Sequence, residues 1–147
     1  MPATKDIQLA REAYLNLLRV HDKLSGEFTA LFREHGLTQA QFNVLRILLG
    51  GDTGGLACQE IGERLIHRLP DVTRLIDRME KAGLVERHRS QRDRRVVLVR
   101  VTDEGRQVCQ ALRGPVDALH VRQFEHLPAS ELAAWNQGLL QVLSPPL

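Results

Sequence analysis

Cysteine is scarce in this chain of 147 residues: Cys58 and Cys109 stand far apart, which argues against a disulfide framework and agrees with a reducing cytosol. No apolar run approaches the roughly 20 residues that cross a bilayer. The first residues, MPATKDIQLARE, are charged from the fifth position and lack the apolar segment of a secretory signal, so a cytoplasmic protein with no membrane partner is expected. Motifs that carry chemistry are equally thin. There is no phosphate-cradling glycine motif and no nucleophile elbow. His21, His35, His67, His88, His120 and His126 show neither HxxxH nor HxH spacing, and no acidic cluster sits at metal-ligand distance from them. An enzyme is therefore not expected, and neither is a metal or a cofactor. Repeats, low-complexity tracts and linkers are absent too, which leaves a single domain large enough to bury a core. The net charge is only +2, so a footprint for a polyanion has to be a local patch.

Arginine supplies such a patch. Residues Leu84 to Thr102, LVERHRSQRDRRVVLVRVT, read as a β-hairpin whose turn is crowded by Arg87, Arg89, Arg92, Arg94 and Arg95, with His88, Ser90 and Gln91 between them. Charges of one sign at that density point to a polyanionic partner, the plain alternative being a solvated charge run on an ordinary loop. Strands are expected over residues 85–89 and 95–101, which are rich in β-branched side chains. Just before them, residues 70–83, PDVTRLIDRMEKAG, read as an amphipathic helix. Val72, Leu75, Ile76 and Met79 fall at i, i+3, i+4 and i+7 and face inward. Asp71, Arg74 and Arg78 lie off that stripe, Asp77 and Lys81 form an i, i+4 pair, and Pro70 is expected in the first turn, where its missing N–H has no helical acceptor. Helix followed by basic hairpin is the layout of a winged DNA reader.

The remaining segments are helical. Apolar residues from Ile7 to Phe32 predict a helix over about residues 5–35, stopped by Gly36. Thr38 with Gln41 is a capping-box pattern that starts a second helix near Gln39. A glycine-rich loop over residues 50–55 leads to a short helix from about Cys58 to Leu65, with Ile61 and Leu65 on its buried side. After Thr102 a helix runs to about Glu125, where Gly114 and Pro115 are expected to kink or interrupt it. A last helix spans about Ser130 to Leu143, with Leu132, Trp135, Leu139, Leu140 and Val142 as its apolar positions. The first and last helices carry more apolar side chains than a compact centre can cover, so a homodimer is expected.

These residues resemble a known family. LTQAQFNVLRILL, QEIGERL and PDVTRLIDRMEKAGLVERHRSQRDRRVVLVRVTDEG, together residues 37–105, are similar to the MarR family of bacterial transcriptional regulators. The resemblance implies a mainly α fold with a small β-hairpin wing, a winged helix-turn-helix flanked by N- and C-terminal dimerisation helices at about residues 5–35 and 103–143. It also implies a homodimer that binds double-stranded DNA at a palindromic operator, often released by a small aromatic effector. Carried over by position, Val72 to Met79 is the recognition helix. Arg68, Asp71, Thr73, Arg74 and Arg78 become candidate DNA contacts there, and Arg92, Asp93, Arg94 and Arg95 become candidates in the wing. In the Asp-x-Arg pair of the family the carboxylate, here Asp93, braces the arginine that enters the minor groove, here Arg95. Arg92 and Arg94 are placed for phosphates, which give affinity and salt dependence without sequence information.

Two departures stand out. Ala57 occupies the cap before the third helix, where the family usually has Thr or Ser, at a cost of about 1 kcal/mol. Ile66, His67, Arg68 and Leu69 precede Pro70 where the family commonly has a small residue and a Ser cap. Asp71 there suits the helix dipole and could also accept from a cytosine amine. Cys58, near a helix N-terminus, is a candidate redox thiol, and Cys109 reads as a packed core thiol. The peroxide-sensing branch of the family carries its cysteine in the first helix, and this chain has none there. Tyr14, His21, Phe28 and Phe42 are candidates to line an effector cavity, the alternative being ordinary core. A winged-helix module that binds an acidic protein partner, without sequence-specific DNA binding, is the competing function.

Overall fold

The computed structural model describes residues 4–51 and 54–144. In chain order it contains α1 (Thr4–Glu34), α2 (Gln39–Gly50), α3 (Cys58–Arg64), α4 (Val72–Lys81), β1 (Val85–Arg89), β2 (Val97–Val101), α5 (Asp103–Phe124) and α6 (Ala129–Leu143). No helix among the described residues is long and apolar enough to cross a membrane.

Local chemistry sets the helix ends. At the end of α1, Gly36 adopts φ +72°, its N–H bonds to the Arg33 carbonyl and the Leu37 N–H reaches the Phe32 carbonyl. Gly83, at φ +76°, closes α4 in the same way, through its own N–H to Glu80 and the Leu84 N–H to Met79. This is the two-bond glycine cap that only a left-handed residue permits without strain. Thr38 and Gln41 form the expected capping box: the Thr38 hydroxyl accepts from the Gln41 N–H at 3.1 Å, and Gln41 Oε1 accepts from the Thr38 N–H at 3.0 Å. Ala57 makes no side-chain cap, as its chemistry requires.

Three expectations are corrected here. Pro70 lies outside the helix, because α4 begins at Val72 with Asp71 as its N-cap, and Asp71 Oδ1 accepts from the Arg74 N–H at 3.0 Å. The second strand begins at Val97 rather than Arg95, since Asp93 to Val96 form a turn closed by the Val96 N–H to the Asp93 carbonyl. Pro115 does not interrupt α5, which is continuous from Asp103 to Phe124. One missing N–H removes a single bond from a helix of 22 residues, and packing on α1 and α2 holds the rest.

The core lies at the centre of the chain. Val44, Leu45 and Leu48 of α2, Ile61 of α3, Leu65 just beyond it, and Ile76 and Met79 of α4 pack against Val85 and Val99 of the hairpin and Leu112 of α5. Each fully buried aliphatic side chain contributes about 1.5–3 kcal/mol. The hairpin pairs Val85 with Val101 and Arg89 with Val97, and Leu56 adds one antiparallel bridge to Val99. The two ends of the chain are different. Ile7, Leu9, Tyr14, Leu15, Leu17 and Leu18 of α1 are exposed, as are Trp135, Leu140, Val142 and Leu143 of α6, and α6 has no buried residue at all.

The two caps make a paired stability prediction. Thr38→Ala should lower the unfolding free energy by about 1 kcal/mol, and Ala57→Ser should raise it by up to about 1 kcal/mol, both read from urea denaturation midpoints at unchanged slope.

Candidate nucleic-acid interface

The exposed face of α4 carries Thr73, Arg74 and Arg78, while Ile76 and Met79 anchor the opposite face in the core. The cap at Asp71 does two things. One carboxylate oxygen holds the Arg74 N–H, and the other lies 3.5 Å from Arg74 Nε, so the guanidinium is loosely tethered with its side chain 78% exposed. Asp71 thus restrains Arg74 at the helix start, where a carboxylate also meets the positive end of the dipole. The side chains of Arg68 and Arg78 make no hydrogen bond or ion pair among the described residues.

Arg87 departs from the expectation of a turn arginine facing a polyanion. It sits in the middle of β1 with its side chain 22% exposed, and it turns back onto α4. Its Nη2 lies 2.6 Å from Asp77 Oδ1 and 3.4 Å from the Thr73 carbonyl, and its Nη1 lies 3.1 Å from Glu80 Oε1. The Arg87 backbone N–H donates to Glu80 Oε2 at 2.9 Å. Burial opposes the charge of Arg87, but the hydrogen bonds and fields of Asp77 and Glu80 outweigh it and hold the guanidinium above its ordinary pKa. Asp77 therefore serves Arg87 and not the expected partner Lys81. Sequence spacing favours local i, i+4 pairs, and only the folding of β1 across α4 brings Arg87 into reach.

The wing is built around Ser90 and Asp93. The Ser90 hydroxyl accepts from the Arg92 N–H at 3.2 Å, and the Ser90 N–H closes the turn on the Val96 carbonyl. Asp93 Oδ1 accepts from the Arg95 N–H at 3.0 Å and from Arg95 Nε at 3.2 Å, and Oδ2 accepts from Nη2 at 3.3 Å. This two-pronged grip fixes the direction of a side chain that is 91% exposed. The Arg95 side-chain and backbone hydrogen bonds hold the Asp93 carboxyl below its ordinary pKa. Arg89 is also occupied, donating to the Arg94 carbonyl at 2.8 Å, whereas the side chains of Arg92 and Arg94 remain free among the described residues.

The four candidate cavity residues make different contacts. Tyr14 is exposed on α1, His21 lies edge-on to His67, and Phe28 and Phe42 flank Phe32 with ring centroids 5.8 and 4.4 Å away. Phe42 also reaches a cleft of about 350 Å³ between α2 and α5, where Arg46, Arg106 and Arg113, with Gln110 and Asp117, line the wall beside Leu49, Cys109 and Val116. Burial pushes the Cys109 thiol up, and Cys58 is half-buried against the core. Arg106 and Arg113 were legible as a seven-residue spacing on one helix face, and Arg46 of α2 was not, because its position depends on how α2 meets α5.

Two predictions test this geometry. Arg87→Ala should destabilise the protein by about 1–2 kcal/mol in urea denaturation, a value discounted because its carboxylate partners are partly solvated. Asp93 is a carboxyl whose folded pKa is depressed, so its grip is complete at neutral pH and is lost only as pH falls through that lowered value. The ¹³C carboxyl titration of Asp93, followed by NMR, should therefore have its midpoint below 3.8, with the Arg95 amide shift moving in step.

The chain matches the MarR family model over residues 35–96. It is 39% identical to the MarR transcription factor of Planctomyces limnophilus, whose crystal structure aligns with a TM-score of 0.69 over 90% of this chain and 95% of that one. A cysteine-to-serine mutant of E. coli MarR, solved in complex with operator DNA, is 28% identical, with a TM-score of 0.78 over 95% of this chain and 96% of that one. The HTH-type transcriptional repressor IacR of Pseudomonas putida is 28% identical over 138 residues, which cover 94% of this chain and 81% of IacR. A half-exposed helix anchored beside a braced, arginine-tipped hairpin, together with these likenesses, makes this protein a member of the MarR family of winged-helix, DNA-binding transcription regulators, which are not enzymes.

Proposed function

We propose that this protein is a sequence-specific repressor that binds a palindromic operator as a homodimer and leaves it when a small aromatic ligand binds. The observation that carries the reading is the pairing of two surfaces at fixed relative position. The outer face of α4 carries Thr73, Arg74 and Arg78, which would meet a major groove, and Asp93 holds Arg95, which would enter the neighbouring minor groove. An arginine already restrained in its bound direction loses less rotamer entropy on insertion, so part of the ordering cost is met before DNA arrives. Arg92 and Arg94, free on either side of Asp93, suit backbone phosphates. Arg68, in the segment before α4, is exposed and suits the same role. The MarR–operator complex, at 28% identity, supports this use of the fold.

Exposed apolar side chains on α1 and α6 support the homodimer, because patches of that kind on a globular protein mark an association surface. A dyad through those helices would set two α4 helices about 10 base pairs apart, in successive major grooves. The cleft between α2 and α5 supports an effector of stated chemistry: an aromatic ring on Phe42, Leu49 and Val116, with its carboxylate or phenolate against Arg46, Arg106 and Arg113. Such a ligand would act by binding one arrangement of α2 and α5 more tightly than another.

Sedimentation at micromolar concentration should give a dimer, and a stable monomer would remove the basis for two-fold recognition. Titration of an operator selected from genomic fragments tests the wing. Arg94→Ala should weaken binding to all duplexes alike and reduce the salt slope by about 0.9, the share of one phosphate. Asp93→Ala adds positive potential, so it would tighten binding if Asp93 were a bystander; as a brace its loss should weaken binding instead. Tighter binding by Asp93→Ala would overturn the assigned role of the pair.

A further inference from the structure

The fold brings together two histidines that the sequence keeps 46 positions apart, and they touch at a strategic joint. His21 projects from the middle of α1. His67 belongs to the segment between α3 and α4, four residues before the cap at Asp71. Their ring centroids are 5.8 Å apart with planes at 73°. We propose that this pair binds one divalent transition-metal ion of the imidazole-preferring class, Zn²⁺, Ni²⁺ or Cu²⁺, and that the ion ties α1 to the segment leading into α4.

Three observations carry the assignment. Each neutral imidazole has one nitrogen lone pair to give, and among the described residues neither ring spends it on a hydrogen bond. Of the other histidines, His35 Nδ1 lies 3.1 Å from the Leu31 carbonyl, His120 packs against Phe28, and the ring nitrogens of His88 are buried without a partner, so what sets His21 and His67 apart is their contact with each other. The spacing is also close to that of a shared ion. With metal–nitrogen bonds of about 2.0–2.1 Å, two imidazoles at a tetrahedral angle have centroids roughly 5 Å apart. Both side chains are exposed and can rotate about their χ angles, and no third His, Cys, Asp or Glu joins them in a metal-binding group among the described residues, so water would complete the coordination shell. Imidazole nitrogen with open water positions suits borderline ions and disfavours Mg²⁺ and Ca²⁺.

An ion held by both rings stabilises only arrangements in which α1 and the lead-in to α4 stay close, by mass action. Because α1 belongs to the proposed dimer surface and His67 precedes the recognition helix, metal would bias how α4 is presented to DNA. That consequence rests on the function proposed above, whereas metal binding itself does not.

The test is a calorimetric titration of the tag-free full chain with Ni²⁺ at neutral pH. One ion per protomer is expected, with His21→Gln and His67→Gln each weakening it about a hundredfold, the loss of the chelate advantage. His126→Gln, outside the pair, should bind as the parent does. Absence of saturable binding, or equal binding by the parent and both variants, overturns the site. Electron paramagnetic resonance of the Cu²⁺-loaded protein should show hyperfine coupling to two imidazole nitrogens, and coupling to one or none overturns it as well. Operator affinity is then measured with and without Ni²⁺. A shift in the parent that is absent in His67→Gln supports the tie to α4. No shift in a parent that binds both operator and metal overturns that tie, while failure to bind operator at all would count against the proposed function and leave the titration unaffected.

Discussion

The ion-paired guanidinium of Arg87 is the interaction on which the relative placement of α4 and the hairpin depends. A recognition helix and a wing can contact two grooves at once only if the angle between them is held, and the short connection through Gly83 and Leu84 fixes distance without fixing orientation. Arg87 supplies the orientation. Its planar fork takes one carboxylate from each of two successive turns of α4, Asp77 and Glu80, and its backbone N–H adds a third tie. Lysine could carry the charge but could not present two parallel donors to two carboxylates. Packing alone would leave more freedom, since the apolar contact of α4 with the hairpin through Met79 and Val85 is non-directional.

With that joint fixed, the arginines divide by occupation. Arg87 and Arg89 hold the protein together, one across α4 and the other across the turn to the Arg94 carbonyl. Arg74 and Arg95 are each steered by an aspartate without being covered by it. The side chains of Arg68, Arg78, Arg92 and Arg94 have no partner among the described residues. The same residue type therefore does three kinds of work within about thirty positions. What separates them is whether a carboxylate or carbonyl lies within reach and how far the pair is covered, because an exposed ion pair is worth little in stability yet still narrows where a side chain points.

The ends of the chain show the opposite balance. The core from α2 to α5 is closed, while α1 and α6 leave apolar side chains exposed that no described residue covers. Gln123, buried on α5, donates to the Leu24 carbonyl and to Glu27, so α1 is seated on α5 at its C-terminal half. The N-terminal half of α1 and all of α6 are the surfaces that the proposed dimer would bury. The arginine-lined cleft lies between α2 and α5, and the histidine pair joins α1 to the segment between α3 and α4.

Much of the architecture was legible in the chain because it rests on local rules. Glycine at 36 and 83 specified two left-handed caps, Thr38 and Gln41 a capping box, and the spacing of Val72, Leu75, Ile76 and Met79 the buried face of α4. The Asp93–Arg95 contact was implied by the resemblance to the family, whose Asp-x-Arg pair these residues match. Tertiary structure decided what depends on approach between distant segments. It turned Arg87 from a turn cation into the tie between wing and helix, kept α5 continuous through Pro115, stacked Phe28 and Phe42 on Phe32, and set His21 against His67. Periodicity tells which face of an element is buried, but the partner of a charged or polar side chain is fixed only when another element is laid across it.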